Sequence, residues 1–541
     1  MLTVSESTEV RVPGEGPSGR RSPGWQAGAV HSHAPSPLPP DPISADGDDR
    51  DFAWYAGDHH IHTTFSRDAM YSVDDQVRRA RECGLDWMVI TDHGGPDHAK
   101  QSVALQTPLI AEARRRHPVL VFQGMEWNIP GAEHATFIAP EHEDTPDLLQ
   151  RFERAFDGDV LAARQNPTGP RLIEHSVQGG PEAEQLGLDA LAWLVEELRT
   201  GTVGEALVLS NHPMRTGRVS PSKVRGWRDA APGVFVGWEG APGHQAAALP
   251  APLGRGRGRG QYDESPGPWS FPGYDLDQYR TWGGFDAATA RMGGLWDALL
   301  AEGLPWWITA NSDNHFDIGD TVRVGNLSRE HYREHGSRGE PVETGVVQHG
   351  YVDFAPGFYS RTCVGSPARD YRSVMAALRS GRVFVVHGGL VRAVEGRVRT
   401  GPGPGVTFGA RTTVERGGDV EVELRVDPAT APNGSGQVPR SARWDVIVGT
   451  VTGRVADTDR DLFEAPGTRV VESFEVPARA SGRQVFRTTL RGVADPLYVR
   501  FRGSDGRHAD ADGHPRVDRI GDSDPWDDLW CYTNPVFVDV R

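Results

Sequence analysis

Along much of the chain, from residue 52 to about residue 320, short apolar runs alternate with segments whose apolar positions recur at helical spacing. This alternation is typical of strands and helices that build a parallel α/β structure. One unit is clear from its ends. Ser72 and Asp75 resemble a helix-capping pair, and residues 83–84 supply a stop before an apolar strand at residues 86–91. We therefore predict an α/β fold for this part of the chain.

After about residue 390 the spacing of the apolar positions changes to two, which is the period of a strand with one buried face. Such segments lie between glycine and proline breaks at residues 419–426, 443–448, 484–490 and 497–501. We predict that residues 390–541 form a smaller, C-terminal antiparallel β-sandwich domain.

Two segments rich in proline and glycine interrupt these patterns. Residues 1–50 contain few large apolar side chains, so burial cannot offset the entropy of ordering them, and we predict that they are disordered. Residues 243–275 contain alternating glycines and arginines at 254–260, and the length of the segment predicts a flexible loop insertion or lid. Contact of these arginines with nucleic acid is the alternative. The domain that carries this insertion is expected to span residues 51–389.

Composition narrows the class of protein. A chain of 541 residues exceeds one ordinary core, so at least two domains are expected. The formal net charge of −17 argues against a general surface for nucleic acid or anionic membranes. Three distant cysteines, Cys83, Cys363 and Cys531, support neither a disulfide framework nor a cysteine-rich zinc site, which favours the reducing cytoplasm. No apolar run approaches the roughly 20 residues of a membrane span, so we expect no membrane partner.

Residues typical of metal ligands follow most of the predicted strands. His60 and His62 lie two positions apart, so in an extended segment their imidazoles face one side and can hold one transition metal. The later strands are followed by further histidines and acids: His93, Glu126, His212, Glu239, Asp313 and His315. In a barrel of parallel strands such positions converge on the carboxyl-end face. An open doubly wound sheet, the alternative, would place ligands at one switch point.

Six motifs in this order resemble the polymerase-and-histidinol-phosphatase (PHP) superfamily of metal-dependent phosphoesterases. They are His60-Ile61-His62, Thr91-Asp92-His93-Gly94, Gly124-Met125-Glu126, His134, Asn211-His212-Pro213 and Ser312-Asp313-Asn314-His315. The resemblance covers about residues 54–320. It implies a distorted seven-stranded (β/α) barrel that holds two or three divalent metal ions. Imidazole and carboxylate ligands suit Zn, Mn and Fe alike.

The resemblance also implies which residues hold each ion. The first ion takes a set of four ligands: His60, His62, Glu126 and Asp313. Glu126 bridges this ion to a second one, whose other ligands are His134 and His212. The third ion takes His93, His315 and Asp68, a position at which family members carry either an acid or an imidazole.

Other polar residues near these motifs are expected to support the site. Asp92 is expected to orient an imidazole and not to bind a metal. Glu239 is either an orienting acid of the same kind or a structural carboxylate. Arg215, three residues beyond His212, can clamp a phosphate oxygen, and its alternative is an exposed surface arginine. Three further histidines are expected to be structural or solvent-exposed: His175, His244 and His349.

The sequence therefore predicts a hydrolase of phosphate mono- or diesters that uses a metal-activated water, with Glu126, Asp313 and Arg215 as catalytic residues. Its substrate would be a small-molecule ester or an oligonucleotide. A side-chain nucleophile is not indicated, since the chain has no Gly-x-Ser-x-Gly elbow and no catalytic-cysteine context.

Two alternatives remain open at this point. Residues 371–385 and 533–538 resemble a branch of the superfamily that includes carbaryl hydrolases, so the same centre could cleave a carbamate or carboxylic ester. The third hypothesis is a non-catalytic module whose β-sandwich binds a carbohydrate or a protein.

Overall fold

Ser72 caps the first helix of the chain, as the sequence predicts: its side chain accepts a hydrogen bond from the backbone N–H of Asp75. This helix belongs to a computed structural model that describes five ranges of the chain. They are residues 52–165, 180–262, 265–325, 328–507 and 524–541. The prediction for residues 1–50 and the expectation for His175 lie outside the described residues.

The described helices lie mainly in the first 380 residues. Their bounds are α1 Val73–Glu82, α2 His98–Arg116, α3 Thr145–Phe156, α4 Gly158–Gln165, α5 Pro181–Thr200, α6 Pro221–Ala230, α7 Ala287–Ala290, α8 Leu295–Ala301, α9 Arg329–His335 and α10 Tyr371–Ser380. Short 3₁₀ helices lie at Gln245–Ala248, Arg259–Gln261, Leu276–Tyr279, Asp457–Asp459 and Pro525–Asp527. In the described part of the chain, no helix is both long enough and apolar enough to span a membrane.

The strands up to residue 343 are β1 Ala53–Asp58, β2 Trp87–Ile90, β3 Leu120–Asn128, β4 His134–Ala139, β5 Leu207–Ser210, β6 Phe235–Ala241, β7 Thr281–Trp282, β8 Phe285–Asp286, β9 Trp307–Ala310, β10 Val322–Arg323 and β11 Val342–Glu343. The later strands are β12 Ser360–Ser366, β13 Val383–His387, β14 Val391–Arg399, β15 Arg411–Val414, β16 Gly418–Pro428, β17 Arg443–Thr450, β18 Arg469–Glu475, β19 Gln484–Val493, β20 Leu497–Ser504, β21 Trp530–Thr533 and β22 Val536–Val540.

One large sheet of 15 strands runs through the molecule in the order β15-β22-β20-β21-β13-β12-β1-β2-β3-β4-β5-β6-β9, with β17 and β18 attached beside β20. β1, β2 and β3 are parallel neighbours, and so are β5, β6 and β9. Between these groups β4 runs antiparallel to β3 and β5. A parallel bridge between Ile61 and Asn314 joins the segments that follow β1 and β9. This order brings the carboxyl ends of six parallel strands and the amino end of β4 to one side.

The C-terminal region is rich in strands. β14, β16 and β19 form a separate antiparallel sheet. Val398 and Leu424 of this sheet belong to the same hydrophobic cluster as Val446 and Phe501 of the large sheet. The predicted mixed α/β fold with a strand-rich C-terminal region is confirmed. The seven-stranded barrel, the sandwich and the domain boundary between residues 389 and 390 stay predictions.

The insertion at residues 243–275 is anchored to the rest of the protein by a buried arginine. Arg259 is fully buried, and its guanidinium donates hydrogen bonds to the side chains of Gln245, Asp528 and Tyr359. This arginine holds the insertion in place and is not available to a nucleic acid.

Candidate metal centre

The candidate ligands lie where strands of the large sheet end. His60 and His62 follow β1, His212 follows β5, and Asp313 and His315 follow β9. His93 follows β2 and pairs in a parallel bridge with Glu126 of β3. His134 begins β4, whose antiparallel direction brings its amino end to the same side. The chain folds so that these eight residues, from six separate segments, meet at one place.

The first predicted set is closely packed. The Nε2 atoms of His60 and His62 lie 3.0 Å apart. Asp313 Oδ1 lies 3.3 Å from His60 Nε2 and 3.2 Å from His62 Nε2. Glu126 Oε1 lies 3.3 Å from His60 Nε2, and Glu126 Oε2 lies 3.6 Å from His62 Nε2. Two imidazoles and two carboxylates therefore surround one point.

The second set meets the first at Glu126. His134 Nδ1 lies 2.8 Å from Glu126 Oε1, and His212 Nε2 lies 3.4 Å from the same oxygen. Since Glu126 also faces His60 and His62, its carboxylate is placed between the two sets, as a bridging ligand would be.

The third set lies on the other side of His62. His93 Nε2 lies 3.3 Å from both Asp68 Oδ1 and His315 Nε2, and the latter lies 3.7 Å from Asp68 Oδ1. The rings of His62 and His315 stack with their centroids 4.0 Å apart, so the third set adjoins the first.

Hydrogen bonds made by the outer ring nitrogens assign lone pairs to the inner ones. His60 Nδ1 donates to Glu239 Oε1 at 2.6 Å, and His315 Nδ1 donates to the carbonyl of Asp313 at 2.9 Å. Ser66 gives its hydroxyl proton to Asp92, so His62 Nδ1 donates to Ser66 Oγ at 2.8 Å. With their Nδ1 atoms so occupied, the two Nε2 atoms 3.0 Å apart are placed to share either one proton or one metal ion.

One oxygen of each of three carboxylates faces the imidazoles of the centre. Asp68 Oδ1 lies 3.3 Å from His93 Nε2, Glu126 Oε2 lies 2.6 Å from His93 Nδ1, and Asp313 Oδ1 lies 3.2 Å from His62 Nε2. A buried carboxylate is costly unless positive charge or a hydrogen-bond donor compensates it, so these positions favour bound cations or protonated imidazoles. Asp68, Glu126 and Asp313 belong to the third, second and first sets respectively. The donor set thus fits divalent ions bound by imidazole and carboxylate.

The imidazoles and carboxylates of the centre shift each other's pKa values. Desolvation by burial disfavours ionised Glu126, but the nearby His134, His60 and His93 outweigh it and hold the pKa of its carboxyl well below its usual range. Desolvation also opposes ionised Asp313, and His244 and His60 again outweigh it, so its pKa is held well below the usual range. For His62, burial and the neighbouring His315 and His93 place the pKa well below its usual value, which keeps this imidazole neutral and able to bind a metal.

The two expected orienting acids each contact the shell of ligands. Asp92 accepts hydrogen bonds from the hydroxyls of Thr63 and Ser66, both at 2.6 Å, and so acts on His62 through Ser66. Glu239 is fully buried; its Oε1 faces His60 and its Oε2 accepts the backbone N–H of His212 at 2.7 Å. One carboxylate thus positions ligands of two different sets.

Replacing Glu239 with Gln is expected to weaken binding of the first ion about 10- to 100-fold, because the neutral amide no longer fixes the His60 tautomer as strongly. Competition with a chromophoric chelator measures the affinity. Glu196→Gln, on the exposed face of α5, is the matched control. An affinity equal to that of the control, or a lower melting temperature of the metal-free variant that accounts for the loss, would contradict the orienting role.

Three residues that the sequence analysis did not assign to the site adjoin the centre. His244, expected to be structural or exposed, is buried; its Nε2 lies 2.9 Å from Asp313 Oδ2 and its Nδ1 2.5 Å from Asp353 Oδ1. Asp353 also accepts the backbone N–H of His315 at 2.6 Å. Glu133, nearly fully buried, lies 3.5 Å from His212 Nδ1. His244 follows β6 as other ligands follow their strands, but its place in the insertion concealed that signal. His349 is exposed, as expected.

Strained backbone accompanies the ligands. Positive φ angles are found at His212 (29°), His244 (53°) and Asp313 (47°), a region that residues other than glycine rarely adopt. Such strain costs on the order of 1–3 kcal/mol per residue and concentrates at functional sites.

Arg215 lies at the rim of the centre. Its side chain is 23% exposed, and its NH2 group is 3.6 Å from Glu133 Oε2. The hydroxyl of Thr216 donates to the other oxygen of Glu133. Glu133 therefore contacts both Arg215 and Thr216. The guanidinium is thus mostly enclosed beside the second ligand set, and its binding of a phosphate oxygen stays a prediction.

Two solved structures show what the chain is similar to. A two-domain protein from Bacteroides vulgatus, described as containing a predicted PHP-like metal-dependent phosphoesterase, shares 14% identity over 87% of this chain and 94% of its own, with a TM-score of 0.29. An amidohydrolase from Chromobacterium violaceum with bound sulfate and no metal shares 18% identity over 34% of this chain and 76% of its own, with a TM-score of 0.22.

A search of curated protein sequences finds no match. The family model for the PHP domain matches residues 58–170, which include six of the nine candidate ligands: His60, His62, Asp68, His93, Glu126 and His134. Residues 58–170 of this chain therefore carry a PHP domain.

Proposed function

We propose that this protein is a metal-dependent hydrolase of phosphate mono- or diesters. The observation that carries the proposal is the convergence of carboxylate oxygens with imidazole nitrogens: Asp68 Oδ1 with His93 and His315, Glu126 with His60, His93 and His134, and Asp313 Oδ1 with His60 and His62. The PHP domain at residues 58–170 supports the same class of chemistry.

Two or three divalent ions would be held by the three ligand sets described above. When bound, such ions polarise a phosphoryl oxygen and lower the pKa of a water toward neutrality. Glu126 would touch two ions because its oxygens face both the first and the second set. Asp313 would keep its charge toward the first ion, since His244 holds its other oxygen at 2.9 Å. Zn, Mn and Fe each suit these ligands.

Arg215 would bind the substrate. Its contact with Glu133 restrains one edge of the guanidinium, and its exposed fraction leaves N–H groups free to reach an anion at the rim. A planar guanidinium donates two parallel hydrogen bonds to phosphate oxygens, which fixes the orientation of the ester before attack. We propose that a small-molecule ester is the substrate and that Glu126, Asp313 and Arg215 are the catalytic residues.

Removing metal from the purified full-length protein is expected to reduce hydrolysis of aryl phosphate mono- and diesters to the uncatalysed rate. Adding back Mn²⁺, Zn²⁺ or Fe²⁺, one at a time, should restore it, because the carboxylates and imidazoles alone supply no activated water. Elemental analysis of the protein as isolated identifies the resident metal. Full turnover by protein shown to be metal-free would refute the proposal.

The same experiment separates the alternative functions when aryl carbamates and carboxylic esters are assayed beside the phosphates. Turnover of carbamates alone would show that the substrate of this centre is a carbamate and not a phosphate ester. Bound metal with no hydrolysis of any ester in the panel would favour the non-catalytic binding module. Preferential hydrolysis of phosphates, dependent on metal, supports the proposed function.

A further inference from the structure

A cavity lies at the opposite end of β1 from the candidate metal centre. It has a volume of about 470 Å³ and is lined by Trp54, Tyr55 and Ala56 of β1, whereas His60 and His62 follow the carboxyl end of this strand. The rise of a strand separates the two places by roughly 15–20 Å. This volume is typical of sites for small organic ligands.

Positive charge is concentrated in this cavity. Among the described residues, its lining includes four arginines, Arg81, Arg361, Arg369 and Arg392, and one carboxylate, Asp86. Asp86 accepts the backbone N–H of Ala56 at 3.0 Å and lies 3.5 Å from Arg369. The described lining therefore carries more positive than negative charge, although the net charge of the chain is −17. Such a local field attracts an anion.

Two of these arginines lack an acidic partner. Arg392, half-buried on β14, makes no hydrogen bond or ion pair with any residue of the described chain, and its Nε is buried. Arg361 donates to the carbonyls of Gly357 at 2.7 Å and Cys83 at 2.9 Å, with no carboxylate within ion-pair distance in the described ranges. A half-buried guanidinium without a carboxylate partner can still form charged hydrogen bonds, so a ligand that supplies an oxyanion would be stabilising.

The rest of the lining is apolar and partly aromatic. Trp54 and Phe358 contribute rings, and Leu85, Val119 and Val391 contribute aliphatic surface. A free inorganic anion would leave this surface uncovered, whereas an aromatic body would bury it. The planar fork of Arg392 matches the two oxygens of a carboxylate. We propose that this cavity is a binding site for a small aromatic carboxylate, distinct from the metal centre.

Isothermal titration calorimetry of the full-length protein with 2-naphthoate tests the proposal. We expect one site per chain, with 2-naphthamide binding at least tenfold more weakly because it lacks the charge. Arg392→Gln should weaken 2-naphthoate binding about tenfold or more through loss of a charged hydrogen bond. Ala431→Trp, which fills the cavity without removing charge, should weaken it as well and decides the matter if the first variant does not fold.

Two controls locate the binding. Arg491→Gln, a highly exposed arginine far from the cavity lining, should leave 2-naphthoate affinity unchanged. Glu126→Gln should also leave it unchanged, since the site does not use the metal centre, and this keeps the outcome independent of the proposed hydrolase. The absence of saturable binding at about 1 mM, equal affinity for the amide, or loss of binding with Glu126→Gln would each overturn the proposal.

Discussion

Replacing Glu126 with Gln is expected to lower kcat/KM for the best phosphate ester at least about a hundredfold. Mutation of residues that only hydrogen-bond to metal ligands already costs up to about a hundredfold, and Glu126 is itself a candidate ligand. The reason is the central place of this carboxylate, whose two oxygens face His60 and His134 on one side and His62 on the other. Gln keeps the shape but loses the charge that joins two ligand sets. The bound metal, measured by elemental analysis, should fall by at least one ion per chain.

Glu196→Gln is the matched control for this variant, because Glu196 is an exposed glutamate whose partner, Arg199, lies one helical turn away. Its kinetics and metal content should equal those of the unaltered chain. The fold of Glu126→Gln should persist, since the amide oxygen of Gln can still accept the hydrogen bond that Asn211 donates to Glu126 Oε1 at 3.0 Å. Unchanged kinetics at unchanged metal content would refute the bridging role.

The sequence predicted which candidate ligands would lie together, and their binding of metal stays a prediction. His60 and His62 are two residues apart, and Asp313 and His315 repeat that spacing after another strand, so local geometry already aligns each pair. The structure brings all nine candidate ligands together, and Asp92 and Glu239 with them. Polar ligand-type residues after buried apolar runs are a strong signal because little else explains them at strand ends.

Residues that contact the candidate ligands but lie outside the six sequence motifs could not be predicted. Asp353 reaches His244 and His315 from a loop that has no apolar periodicity, so nothing in its neighbourhood indicates proximity. The pairing of β1 with β12, and of β13 with β21, joins segments that lie more than 140 residues apart in the chain. Such partners are chosen by the packing of the whole molecule, which a local pattern does not contain.

A buried ion pair joins the helix α8 to the C-terminal strand β20. Asp297 accepts hydrogen bonds from Arg500 at 2.8 and 3.0 Å, from the hydroxyl of Tyr498 at 2.9 Å, and from the backbone N–H of Gly293 at 2.7 Å. Both charged side chains are 1% exposed. The Arg500 guanidinium also lies 4.7 Å from the centroid of the Trp296 ring. The C-terminal strands are thus tied to the part of the chain that leads into β9 and its ligands.

Replacing Asp297 with Ala is therefore expected to lower the free energy of unfolding by about 3–5 kcal/mol, because Arg500 stays buried with its charge uncompensated. Urea denaturation of the metal-free protein measures this loss. Asp419→Ala, which removes an exposed partner of Arg491, should cost less than about 1 kcal/mol. Adding Arg500→Met to Asp297→Ala should recover much of the stability, since an apolar side chain carries no unpaired charge. Urea denaturation repeated with Mn²⁺ bound tests whether the two parts unfold together. We expect the transition that bound metal stabilises to move to lower urea in Asp297→Ala; an unchanged midpoint of that transition would show that the C-terminal strands fold independently of the metal-binding part.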